Sequence, residues 1–135
     1  MMPPLNQFTT KAKEAIKRAH ELAIERGQNS VSTLHLLSAL LIQEESNIIS
    51  LLERLDIDTI LLTDSVLEGI ETVEGSTTVA PSYQMFLTAD LAQVIEQSLK
   101  VAAEMKDNFV STEHLFIALL DSTNQATELL NRFKI

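Results

Sequence analysis

Three histidines, His20, His35 and His114, are the residues of this chain best able to move a proton or hold a metal near neutral pH. His35 and His114 each follow a serine by three residues, Ser32 and Ser111, and each is followed by an apolar run. A serine so placed could in principle join a Ser–His–Asp relay, but it is better used as the cap of a helix. No second histidine or carboxylate stands three or four residues beyond any of the three, so none begins a metal-ligand pair. Asp56 and Asp58 sit close together before an apolar stretch, where carboxylates favour a helix N-terminus. The glycines, Gly27, Gly69 and Gly75, do not precede a lysine, so no phosphate-cradling Gly-x-x-x-x-Gly-Lys loop is present. The expectation is a binding module with no catalytic residue, no metal site and no cofactor in this chain.

Charge and composition narrow the partners. The chain has 135 residues, no cysteine and a net charge of −9. Thiolate chemistry and disulfides are excluded, and a phosphate backbone would be repelled, so nucleic acid is not an expected partner. The richest apolar run, Leu34 to Ile42, falls well short of the roughly 18–20 residues needed to cross a membrane. The N-terminus lacks the basic-then-apolar pattern of a signal peptide, so the expected location is cytoplasmic and away from membranes.

The elements that must position these residues read as helices. Glycine, proline and aromatic residues are scarce, while Leu, Ile and Ala recur at three- and four-residue steps. Thr9 or Thr10 caps a first helix with Ala12, Ala15, Ile16, Ala19, Leu22 and Ala23 on one face, and Gly27 stops it. Ser32 or Thr33 caps a second, Ser46 or Asn47 a third with Ile48, Leu51, Leu52 and Leu55, and Asp58 a fourth with Leu62, Val66 and Ile70. Residues 75–86 read as a linker around Pro81. A fifth helix begins near Thr88, its stripe running from Leu91 to Met105; Ser111 or Thr112 caps a sixth, and Thr123 or Asn124 opens a seventh.

The halves repeat each other. Laying Phe8 on Leu87 aligns the chain without a gap to Leu41 on Leu120. Val31-Ser32-Thr33 then falls on Val110-Ser111-Thr112, His35 on His114, and Ala39-Leu40-Leu41 on Ala118-Leu119-Leu120. The expected organisation is one domain, 1–135, with repeat one at 8–74 and an incomplete repeat two at 87–135, whose counterpart of the fourth helix would lie past Ile135. Three positions are polar in the first repeat and apolar in the second: His20 against Leu99, Ser30 against Phe109, Ser38 against Ile117. Leu99, Phe109 and Ile117 are therefore candidates for exposed apolar surface, either in a binding groove or where the repeats meet. From Glu44 to Glu74 stand nine acids and one base, Arg54, which reads as a solvated face or a dock for a basic partner.

Two tandem helical repeats, each with Val-Ser-Thr-x-His-Leu and Ala-Leu-Leu, resemble the N-terminal domain of the Clp/Hsp100 AAA+ ATPases, and most of all its ClpB branch. The resemblance implies an all-α, pseudo-twofold fold. It also implies capture of unfolded or aggregated polypeptide for an ATP- and Mg-dependent AAA+ ring, hexameric in the family, that lies outside this chain. The family's polar groove rim falls on Thr9, Asp107 and Glu113. The alternative within the family is the adaptor-binding domain of a ClpC- or ClpA-type unfoldase. ClpC-type domains carry Glu before the histidine in both repeats, whereas this chain has Glu113 in the second and Leu34 in the first.

Overall fold

The computed structural model describes residues 6–28, 30–44, 46–71 and 86–133. The expected linker of residues 75–86 falls outside them except for its last residue, Phe86, which lies in a short strand. Seven helices appear among the described residues: α1 (Thr10–Glu25), α2 (Thr33–Ile42), α3 (Asn47–Arg54), α4 (Thr59–Glu71), α5 (Ala89–Glu104), α6 (Thr112–Leu120) and α7 (Gln125–Arg132). Each expected cap that the sequence left between two residues resolves to the first or to the asparagine. Thr9 accepts from the Ala12 amide, Ser46 from Ile49, Asp58 from Leu61, Thr88 from Leu91 and Asn124 from Thr127.

α2 is mostly apolar and carries no charged residue, and residues 33–41 are all buried, Thr33, His35 and Ser38 included; a helix with no exposed polar face must sit at the centre. α1 packs on one side of it and α4 on another, the latter through Leu62, Val66 and Ile70. α5 packs on α6 as α1 packs on α2. The contacts between halves come in matched pairs: α1 meets α6 and α5 meets α2, while α2 meets α7 and α6 meets α3. This is the pseudo-twofold arrangement that the repeat demanded. One core cluster runs from Phe8 through Leu40 to Leu130, spanning both repeats.

Two short backbone pairings lock the halves, and the apolar periodicity gave no sign of them. Strand β1 (Ser30–Val31) runs parallel to β2 (Phe86–Leu87), with Val31 opposite Leu87. Phe8 bridges Val110 in the same sense. The two pairings are images of each other under the repeat. The Thr88 amide donates to the Val31 carbonyl and the Thr9 amide to the Val110 carbonyl, each at 2.9 Å. Each repeat's first helix thus starts from a strand paired with the other repeat.

The stripe of α5 is buried from Leu91 to Ala102, but Met105, expected at its end, is exposed. The reason is local: Met105 is the C-cap, and the chain turns away there. Lys106 follows in the left-handed region at φ 59°, with Lys106 N–H on the Ala103 carbonyl and Asp107 N–H on the Ala102 carbonyl. Gly27 makes the same turn at φ 68° after α1. Glycine adopts that conformation freely, whereas a lysine is strained there by about 1 kcal/mol. Lys106→Gly is therefore expected to raise the melting temperature by about 3 °C, as thermal unfolding followed by circular dichroism would show.

Candidate functional site

The two turns deliver a side chain to each histidine. Gln28, just after Gly27, reaches His35, whose Nε2 lies 2.6 Å from Gln28 Oε1. Asp107, just after Lys106, reaches His114, with Nε2 at 2.8 Å from Asp107 Oδ2. The other ring nitrogen faces the cap: Ser32 N–H donates to His35 Nδ1 at 2.9 Å, and Ser111 N–H to His114 Nδ1 at 2.8 Å. With Nδ1 accepting, the neutral ring carries its proton on Nε2 and donates it to Gln28 or Asp107. A histidine here replaces the usual Glu or Gln of a capping box.

Ser111, His114 and Asp107 therefore line up as a relay might, with Ser111 Oγ 2.9 Å from Nδ1. The geometry is that of a cap instead. Nδ1 is already taken by the Ser111 amide, and Ser111 Oγ accepts from the His114 amide at 3.4 Å. The first repeat builds the same unit with Gln28 in place of the acid, so the arrangement serves the fold. Burial, then the positive charges of Arg26 and His20, lower the pKa of His35 from 6.5 to about 4, which keeps it neutral. Among the described residues no three His, Asp or Glu side chains gather as a metal would require.

The six residues singled out from sequence divide in two. Thr9, Asp107, Phe109 and Glu113 gather around the start of α6. The Thr9 amide bonds to Val110, Asp107 bonds to His114, and Glu113 Oε1 accepts from Thr112 Oγ1 at 2.9 Å and from Asn47 Nδ2 at 3.3 Å. Phe109, between them in sequence, is 55% exposed. Ile117, one turn further along α6 from Glu113, is 40% exposed. Leu99 differs: it is half-buried and packs against the core cluster, so it offers less open surface than its place off the α5 stripe suggested.

Comparing the repeats explains why α6 is open. Glu113, Ile117 and Leu120 share one face of α6, and their counterparts on α2 are Leu34, Ser38 and Leu41, all buried. α4 packs over α2, with Gly69 facing Leu34: a Cβ there would meet Leu34 Cδ1 at 3.6 Å, an ordinary contact distance. Among the described residues no element lies on α6 as α4 lies on α2, so Ile117 and Leu120 stay 40% and 39% exposed. Leu120 was missed in the sequence because Leu41, its equivalent, is also a leucine; among the described residues they differ in that α4 packs on the helix of Leu41.

The family model of the Clp repeat N-terminal domain matches residues 7–133. The chain belongs to this family. Over 134 residues it is 31% identical to the chaperone protein ClpB of Bacillus anthracis, covering 97% of this chain and 15% of that protein. It thus spans about one-seventh of the curated relatives it matches. Among solved structures, the Hsp104 N-terminal domain of Candida albicans superposes with a TM-score of 0.80 at 22% identity, over 96% of this chain and 81% of that one. The N-terminal domain of the ClpV1 ATPase from E. coli EAEC gives 0.78 at 21% identity, over 93% and 78%. These structures establish the helical Clp repeat fold, and the sequence is of ClpB type. In this Clp repeat domain the Glu before the histidine survives only at Glu113. Its counterpart Leu34 is sealed beneath α4, so only the second repeat presents a carboxylate at that position.

Proposed function

We propose that the chain is a non-catalytic binding module that captures unfolded or aggregated polypeptide at the start of α6, in its second repeat. In this reading it acts in the cytoplasm and passes the segment to an ATP-driven AAA+ ring of the ClpB kind. The observation that carries the reading is the group at the start of α6, where the exposed Phe109 stands between the carboxylates of Asp107 and Glu113. Phe109, Ile117 and Leu120 supply apolar surface, and Asp107 and Glu113 supply an acidic edge. Such a surface suits segments mixing apolar and basic residues, which unfolded chains expose and folded ones hide. Docking a flexible segment costs conformational freedom, so the dissociation constant should be on the order of micromolar or weaker.

Titrating the isotope-labelled domain with a permanently unfolded polypeptide tests this. Amide shifts should cluster at Thr9, Asp107, Phe109, Glu113 and Ile117. Ile117→Ser combined with Glu113→Lys should weaken binding about tenfold or more and leave the melting temperature within about 3 °C, since both side chains are exposed. No shifts at millimolar polypeptide would sink direct capture and leave adaptor docking, the ClpC- or ClpA-type role, as the leading account.

A further inference from the structure

A second surface, sharing no residue with the α6 face, lies where α3 and α4 diverge. A cleft of about 510 Å³ opens there, with Leu41 and Ser46 at its floor, Ile49 and Ile60 on its walls, and Thr63 and Asp64 at its rim. Its neutral polar groups are largely spent inside the protein. Ser46 Oγ donates to the Leu40 carbonyl, Thr63 Oγ1 to the Thr59 carbonyl, and Gln43 Nε2 to the Lys11 carbonyl, each at 2.7 Å. The Asp64 carboxylate has no hydrogen-bond or ion-pair partner among the described residues.

Ile60 is 76% exposed, the most exposed large apolar side chain among the described residues, and Leu61 beside it is exposed too. Neither serves the packing of α4, which rests on Leu62, Val66 and Ile70. A surface helix ordinarily places polar residues at such positions. The surrounding charge is of one sign. Glu53, Asp56, Asp58, Asp64 and Glu68 stand on or beside α3 and α4 against a single base, Arg54. An apolar cleft with the unpaired Asp64 carboxylate at its rim, on a stretch of chain rich in acids, favours a cationic occupant and repels an acidic one.

We propose that the cleft between α3 and α4 docks a basic segment of a partner protein, a bulky apolar residue entering beside Ile49 and Ile60 and a flanking Lys or Arg meeting Asp64. The docked segment is distinct from the polypeptide held at α6, and the two surfaces can be occupied independently.

The test uses the full chain, isotope-labelled, and the acetylated and amidated hexapeptide Lys-Lys-Leu-Phe-Lys-Lys, with Glu-Glu-Leu-Phe-Glu-Glu as control. The basic peptide should shift the amides of Ile49, Ser50, Ile60, Thr63 and Asp64, and bind at least about fivefold more weakly in 0.5 M salt. The acidic peptide should shift none of them. Ile60→Ser and, separately, Asp64→Asn should each weaken binding at least about threefold; both positions are exposed, so the fold is retained and the melting temperature checks it. Absent shifts, shifts spread over every acidic surface, equal binding of the acidic peptide, or unchanged binding by both variants would each overturn the proposal. The reporters at α6 are different residues, so failure here and failure of polypeptide capture read out separately.

Discussion

Replacing His35 with alanine is expected to cost about 3 kcal/mol and lower the melting temperature by about 10 °C. Three losses add. The Ser32 amide at the start of α2 loses the ring that accepts its hydrogen bond, and a helix cap is worth about 1 kcal/mol. Gln28 Oε1 loses its donor in a buried site, which costs about 1–3 kcal/mol. Gln28 also reaches across to α4, donating to the Ile70 carbonyl at 2.9 Å, so loosening it loosens the helix that covers α2. His114→Ala should cost less, about 1 kcal/mol, because its partner Asp107 is half-exposed and water can replace the ring.

His35 also sets a pH dependence. Its pKa is about 4 in the folded chain and 6.5 in the unfolded one, so below pH 6.5 the unfolded chain takes up a proton that the folded chain refuses. The contribution is intact above about pH 7 and declines as pH falls from 6.5 to 4, the loss reaching roughly 3 kcal/mol at pH 4, at about 1.4 kcal/mol per pH unit. Urea unfolding at pH 7, 5.5 and 4.5 should show the wild-type chain losing more stability than the His35→Ala chain. Equal losses would mean that His35 is protonated in the native state and that the cap does not depend on a neutral ring.

The helices and their caps were legible because helix burial is periodic: Leu62, Val66 and Ile70 were read as one face and are all buried. The repeat was legible because the cap, the histidine and the leucine run must recur together for the same fold to form twice. The strand pairings were not, since Phe8, Val31, Leu87 and Val110 occupy segments of one or two residues, too short for any alternation to show. Gln28 left only a faint signal: it and Asp107 are polar residues at one repeat position directly after a helix stop. Leu99 is less open than its place off the α5 stripe suggested, because a residue off a helix's main stripe can still be partly covered by a neighbour, and α6 packs on α5.

Severing the chain between the repeats should leave neither half folded. A fragment of residues 1–74 keeps α1 to α4 but loses the partner of Val31, the α5 and α7 surfaces against α2, and the acceptor of the Thr9 amide. A fragment of residues 87–135 loses Phe8, which is buried and bridges Val110, and α2, on which both α5 and α7 rest. The 87–135 fragment falls well below, and the 1–74 fragment only reaches, the roughly 70–80 residues at which one hydrophobic core supplies more than a few kcal/mol, and each would expose its side of a shared core to water. The expected result is a single cooperative transition for the intact chain and no cooperative transition for either fragment alone, followed by circular dichroism. Mixed at high concentration, the fragments should regain helical signal, because the paired strands and the contacts of α2 form between halves and need no peptide bond linking them. A fragment that melts cooperatively by itself would show that a repeat is an autonomous unit; the crossed strands would then orient two finished bundles instead of completing a single one.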